Sequence, residues 1–155
     1  MNFKLTEKEV TRILARYPNK EAALLPILRI IQREAGHISP EAEKDVADLL
    51  GVRPARVHEV VTFYSRFREK PAGRYLILVC ESVCCSLLGA GEILEHLKRR
   101  LMIDVGETTP DRLFTLETVE CLAQCEQAPA VMINDEVIAP ATVDTLDRIL
   151  EEKSR

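Results

Sequence analysis

No cysteine occurs in the first 79 residues of this 155-residue chain, although five follow. Excess positive charge is also missing. The net charge is −4, which leaves no basic footprint for nucleic acid. Long hydrophobic runs are absent too: the run "YLILV" at 75–79 is far too short to cross a bilayer. The opening "MNFKLTEKEV" has no apolar stretch of the secretory type, so the expected compartment is the reducing cytoplasm, with no direct membrane insertion. There, clustered cysteines bind metal or do redox work more often than they staple a fold. No P-loop, internal repeat, Ser-His-Asp arrangement or paired-carboxylate motif stands out, and no catalytic residue is expected on this chain. The three histidines, His37, His58 and His96, are too scattered to define a site. His58 lies beside the Val57/Val60 stripe and reads as a satisfied helix residue.

What is present is a chain able to build a core, 46% hydrophobic and 30% charged. Its charge is uneven. Residues 1–70 carry 13 Lys/Arg against 10 Asp/Glu, residues 71–155 carry 8 against 15, and all five cysteines lie in the acidic part. The first part reads as helices. Thr6 and Glu9 form a capping-box pattern ahead of a stripe of Val10, Ile13, Leu14 and Tyr17. A second helix is expected from about Glu21 to Ala35, with Leu24, Ile27, Leu28 and Ile31 inward and Gly36 ending it. Ser39 caps a third, with Pro40 at its first position and Gly51 after its end. Pro54 starts a fourth, with Val57, Val60, Val61 and Tyr64 on one side. Val61 and Tyr64 are assigned to the core, and Phe63 and Phe67 supply the candidates for partner contact.

The stretch "REKPAG" at 68–73 breaks the helical pattern. The expected division is a helical bundle over 1–70 and an α/β domain over 71–155. "YLILVC" reads as a buried strand, residues 92–102 as a helix, and "LFTLETVEC" (113–121) as a strand. "AVMIN" and "EVIA" flank Asp135 as a hairpin, and Val143, Leu146, Ile149 and Leu150 mark a closing helix. The order β-α-β-β-β-α resembles the thioredoxin-like layout.

The cysteines fall as Cys80-x4-Cys85, 35 residues, then Cys121-x3-Cys125. Each pair follows an expected strand and opens a loop. Two such loops at neighbouring strand ends offer four thiolates to one centre, and soft thiolates select zinc, copper(I) or iron–sulfur clusters. Structural zinc usually draws on tighter Cys-x2-Cys knuckles. Wider gaps suit a [2Fe–2S] cluster, in which each of two irons takes two cysteines. Zinc and structural or redox thiols remain open on spacing alone. A thioredoxin-type exchange site would want Cys-x-x-Cys, which is absent.

Nearly the whole chain resembles the small thioredoxin-like [2Fe–2S] subunit of the NADH-oxidising module of respiratory complex I, the E-subunit family of the NADH-quinone oxidoreductases. Related subunits occur in NAD-linked hydrogenases and formate dehydrogenases. The resemblance rests on "LPILRIIQREAGHIS" (25–39), "VRPARVHEVVTFYSRF" (52–67), the x4, x35, x3 cysteine spacing, "GETTPDRLFTLETVECLAQCEQAP" (106–129) and "VMINDEV". It implies one [2Fe–2S] cluster on Cys80, Cys85, Cys121 and Cys125. It also implies that FMN and NADH belong to a larger flavoprotein partner, with this chain in the peripheral arm of a membrane-associated complex. The sequence departs from the family pattern at Cys84, where a non-cysteine is usual, and at Ile138, near which a tyrosine is common. It departs again at Arg112 and at Leu122–Ala123, where glycine is common.

Such a centre would carry −2 when oxidised and −3 after one electron, so the chain's task would be to hold it, tune it and pass single electrons. Backbone N–H groups and the positive end of a helix after Ser86 are expected to stabilise that charge. Glu81, Glu120 and Glu126 neighbour ligand cysteines and read as solvated loop charges. "GAGEIL" (89–94) has Leu94 where a dinucleotide loop needs Gly or Ala, so no NADH site is expected here, and Gly89 and Gly91 ease the chain into a helix. Cys84 is expected to be a spare thiol, turned away from Cys85 by extended backbone. The alternatives are the equivalent subunit of a hydrogenase or formate dehydrogenase, a zinc-stabilised interaction module, and a thiol–disulfide enzyme.

Overall fold

A computed structural model describes residues 7–155. The chain divides into two compact units, Met1–Pro71 and Ala72–Arg155. Thr6 of the capping-box pattern lies outside the described residues.

The first unit contains α1 (Glu7–Leu14), α2 (Leu24–Ala35), α3 (Pro40–Leu50) and α4 (Pro54–Phe63). Val10 and Ile13 are buried, as the stripe requires, but Tyr17 falls beyond the end of α1 and is exposed. The second helix starts with a 3-10 turn over Glu21–Ala23. Its opening N–H groups find a side-chain partner in Asn19, whose Oδ1 accepts from the Ala22 amide at 2.9 Å. Gly36 closes α2 at φ 80, with its N–H on the Gln32 carbonyl. That left-handed geometry favours glycine because it has no Cβ to clash. Ser39 caps α3 by accepting from the Ala42 amide at 3.2 Å. Ile27, Leu28, Ile31, Ile38, Val46 and Val57 form the buried centre of this unit, each stabilising it by roughly 1.5–3 kcal/mol. Two aromatic assignments reverse. Tyr64 ends α4 and is 43% exposed, whereas Phe67 packs on the helical core. The chain leaves the helix at Tyr64 with φ −89, ψ 106, so the helical stripe no longer governs the residues beyond it.

The second unit runs β1 (Tyr75–Cys80), α5 (Val83–Leu87), α6 (Ala90–Leu101), β2 (Phe114–Val119), β3 (Val131–Ile133), β4 (Glu136–Ile138) and α7 (Val143–Lys153). The sheet order is β2-β1-β3-β4. β1 and β2 are parallel, with Tyr75 opposite Phe114 and Cys80 opposite Val119. β3 pairs antiparallel with both β1 and β4. Alternation along β1 sorts its side chains. Ile77 and Val79 join Leu97, Leu116, Val131 and Leu146 in the main core, while Leu76 and Leu78 meet Met132 in a smaller cluster. The expected α/β, thioredoxin-like element order is present. Two helices stand after β1 instead of the single one expected, separated by Gly89 at φ 97. Among the described residues no helix is long and apolar enough to cross a membrane.

Candidate metal centre

β1 and β2 run parallel and end side by side, so the loops leaving them emerge from the same edge of the sheet. Cys80 is the last residue of β1, and the Glu81 amide still donates to the Val119 carbonyl at 2.9 Å. Cys121 lies two residues beyond Val119, and Cys125 opens a 3-10 turn over Cys125–Gln127. Open α/β sheets place ligands at such carboxyl ends.

The thiols fall into a buried pair and an exposed group. Cys80 and Cys85 are both buried and in side-chain contact. Cys121 and Cys125 are exposed and in contact with each other. Among the described residues no three thiols come within 4.8 Å of one another. Four ligands of one tetrahedral ion would crowd closer than that, whereas two pairs on two irons need not. The donor set is therefore compatible with a [2Fe–2S] centre.

The residues around the Cys80 sulfur favour negative charge there, whereas Cys85 and Cys125 are both pushed up. Burial pushes the Cys80 thiol up, but hydrogen bonds with the Ser82 hydroxyl and amide, the Leu122 amide and the Cys85 thiol outweigh it, and its pKa is lowered on balance. Burial raises Cys85, as does its own hydrogen bond to Cys80; the amide of Ala130 works in the opposite direction. Of this pair Cys80 ionises first. The Ala123 amide donates to the Cys121 sulfur at 3.2 Å. Charge-assisted hydrogen bonds of this kind strengthen as the acceptor gains charge.

Ala123 reaches that position at φ 56, and Arg112 stands at φ 61. Both are left-handed conformations that disfavour a side chain. This chain meets both left-handed positions without glycine.

Ser86 itself lies inside α5, and the helix that follows it, α6, begins only at Ala90. One expectation about the first loop needs correction. The backbone at Cys84 and Cys85 is helical, not extended, because Val83–Leu87 closes a short turn of helix in which the Ser86 amide bonds the Ser82 carbonyl at 2.8 Å. Cys84 is exposed as expected, but it is not remote from the other thiols: its side chain lies against Cys125, which raises the Cys125 pKa. In the helical turn VCCSL neighbouring side chains stand about 100° apart rather than opposite, and no propensity or periodicity in the sequence announces that turn. Glu81, Glu120 and Glu126 are exposed, in keeping with solvated loop charges. Gly89 at φ 97 is the N-cap of α6, as expected of a glycine that eases the chain into a helix.

A profile of the thioredoxin-like [2Fe–2S] ferredoxin family matches residues 10–154. The NADH-quinone oxidoreductase E-subunit 2 of Rhizobium meliloti is 42% identical over 144 residues, spanning 93% of this chain and 86% of the relative. NADH-quinone oxidoreductase subunit 2 of Thermus thermophilus is 43% identical over 124 residues, spanning 79% of this chain and 68% of the relative. The mitochondrial NADH dehydrogenase [ubiquinone] flavoprotein 2 of Dictyostelium discoideum is 41% identical over 152 residues, though this chain spans only 62% of it. Among solved structures, an NAD+-reducing [NiFe]-hydrogenase in the H2-reduced state shares the fold with a TM-score of 0.72 at 21% identity, over 83% of this chain and 22% of that one. With the match running through both units and both cysteine loops, the chain belongs to the thioredoxin-like [2Fe–2S] ferredoxin family.

Proposed function

We propose that this chain is the one-electron carrier of an NADH-quinone oxidoreductase, with Cys80, Cys85, Cys121 and Cys125 holding a [2Fe–2S] cluster. The observation that supports the ligand set is the gathering of the cysteines at the ends of two parallel strands, Cys80 with Cys85 on one side and Cys121 with Cys125 on the other, with Cys84 beside Cys125 as the additional thiol. When bound, such a cluster supplies a one-electron couple. The chain's own part is to hold four thiolates and to aim the amides of Ser82, Leu122, Ala123 and Ala130 at their sulfurs. Burial of Cys80 and Cys85 keeps water from one pair, while the exposed pair lies toward solvent or a partner.

The partner is a larger subunit carrying FMN and NADH, and the two-electron hydride step occurs there. The names of the relatives support assembly into such a complex. We place the complex at the cytoplasmic face of a membrane, with residues 1–70 as the helical domain and 71–155 as the cluster domain. Likeness to the hydrogenase rests on fold at 21% identity, so the oxidoreductase reading is preferred. The test is reduction by NADH. The isolated cluster-loaded chain should stay oxidised, and adding the flavoprotein that co-purifies with it should bleach the cluster. Bleaching by NADH without a flavoprotein would sink the division of labour.

A further inference from the structure

Away from the cysteines, the helical unit gathers three metal-ligating side chains from three places in the sequence. Glu43 comes from α3, His58 from α4, and Glu69 from the segment after α4. His58 Nδ1 lies 3.1 and 3.3 Å from the two carboxylate oxygens of Glu43 and 4.0 Å from Glu69 Oε1. One ligand atom from each lies within 4.8 Å of the other two. Glu43 is only 8% exposed, an unusual burial for a carboxylate. His58 and Glu69 are about half exposed, so the cluster opens to solvent.

Hydrogen bonding alone serves this cluster incompletely. An imidazole Nδ1 carries at most one hydrogen. That hydrogen faces Glu43 at 3.1 Å, while Glu69 Oε1 stands 4.0 Å away, beyond hydrogen-bond reach. Two carboxylates sharing a site repel unless a cation lies between them. One neutral imidazole and two carboxylates are a standard donor set for a borderline divalent cation. Ligand atoms around a tetrahedral zinc sit about 3.3 Å apart, as bonds of about 2.0–2.1 Å require. Glu43 and His58 already meet that spacing, and the half-exposed Glu69, 4.0 Å from His58 Nδ1 and within 4.8 Å of Glu43, has a short distance left to close.

We propose that Glu43, His58 and Glu69 form a divalent-cation site of the zinc class, with water in the fourth position. The ion would tie the segment after α4 to the α3–α4 pair. The site is independent of the cluster and of the oxidoreductase reading.

The test uses the full chain carrying its cluster, so that the cysteines are occupied. The protein is stripped of adventitious metal, given one equivalent of zinc, and dialysed. Metal analysis should find one zinc per chain besides the cluster iron. Zinc K-edge absorption should show only nitrogen and oxygen ligands, at about 2.0–2.1 Å. His58→Gln and Glu69→Gln should each weaken zinc binding by at least about tenfold, while the cluster's paramagnetic signal stays unchanged. Loss of zinc from the wild-type chain on dialysis would overturn the proposal. So would sulfur in the zinc shell, or the same zinc affinity in both variants.

Discussion

Cys84 and Cys85 are adjacent in the chain yet meet different surroundings: Cys85 is 1% exposed and packs with Cys80, while Cys84 is exposed and lies against Cys125. The turn of helix at Val83–Leu87 produces this separation. If Cys85 is the ligand, Cys84→Ser keeps a full cluster, and its contact with Cys125 alters at most the shape of the paramagnetic signal. Cys85→Ser loses the cluster or makes it labile. Iron content after anaerobic gel filtration separates the two variants. A dispensable Cys85 and an essential Cys84 would refute the assignment.

The left-handed residues Arg112 and Ala123 carry strain that glycine would remove. Placing a side chain there costs about 1–2 kcal/mol, and glycine returns roughly 0.5–1 kcal/mol of that as unfolded-chain entropy. Ala123→Gly should stabilise the chain by up to about 1 kcal/mol, read from chemical unfolding, whereas at Arg112 the same backbone gain is offset by the interactions the side chain makes. Ala123→Gly should also leave the amide donated to Cys121 in place, so the cluster's potential should not move.

Gly73 follows the opposite logic. A Cβ built there would lie 3.0 Å from the backbone of Arg112 and Leu113, where β1 and β2 begin side by side. Backbone cannot swing aside as a side chain can. Gly73→Ala should therefore cost about 1–3 kcal/mol, the usual penalty of overpacking. A melting temperature equal to wild type would show that the strands open there without cost.

Acid should loosen the loop before β2. Asp111 has a lowered pKa because it accepts hydrogen bonds from the Thr109 hydroxyl and the Leu113 amide. A depressed carboxyl pKa contributes stability that is fully present above the unfolded value of about 3.9. That stability is lost as pH falls through the lower folded value. Asp111→Asn should flatten the stability profile below about pH 4 and leave the slope near neutrality unchanged. An unaltered acid limb would place that loss elsewhere.

Much of the fold was legible in the sequence because local signals agree. Ser39, Pro40 and Gly51 bound α3 where capping chemistry puts them, and the apolar run at Tyr75–Cys80 is a strand buried on both faces. The features that the sequence hides depend on position rather than composition. Tyr64 continues a helical stripe in sequence, but the helix has ended when it arrives. The five-residue α5 is too short for periodicity to reveal, so nothing in the pattern sets Cys84 on a helix. His58 looks isolated because its carboxylate partner Glu43 is 15 residues away, on another helix. No pattern within one segment can show such a contact.

Whether Cys80, Cys85, Cys121 and Cys125 hold one [2Fe–2S] cluster is decided by iron, acid-labile sulfide and electron paramagnetic resonance on anaerobically purified protein. A four-thiolate [2Fe–2S] site gives iron and sulfide in equal amounts, as many of each as one cluster contains, and a rhombic signal after one-electron reduction. That signal should vanish when Cys80 or Cys85 is replaced by serine. Equimolar zinc held by sulfur, with no iron, would contradict the assignment.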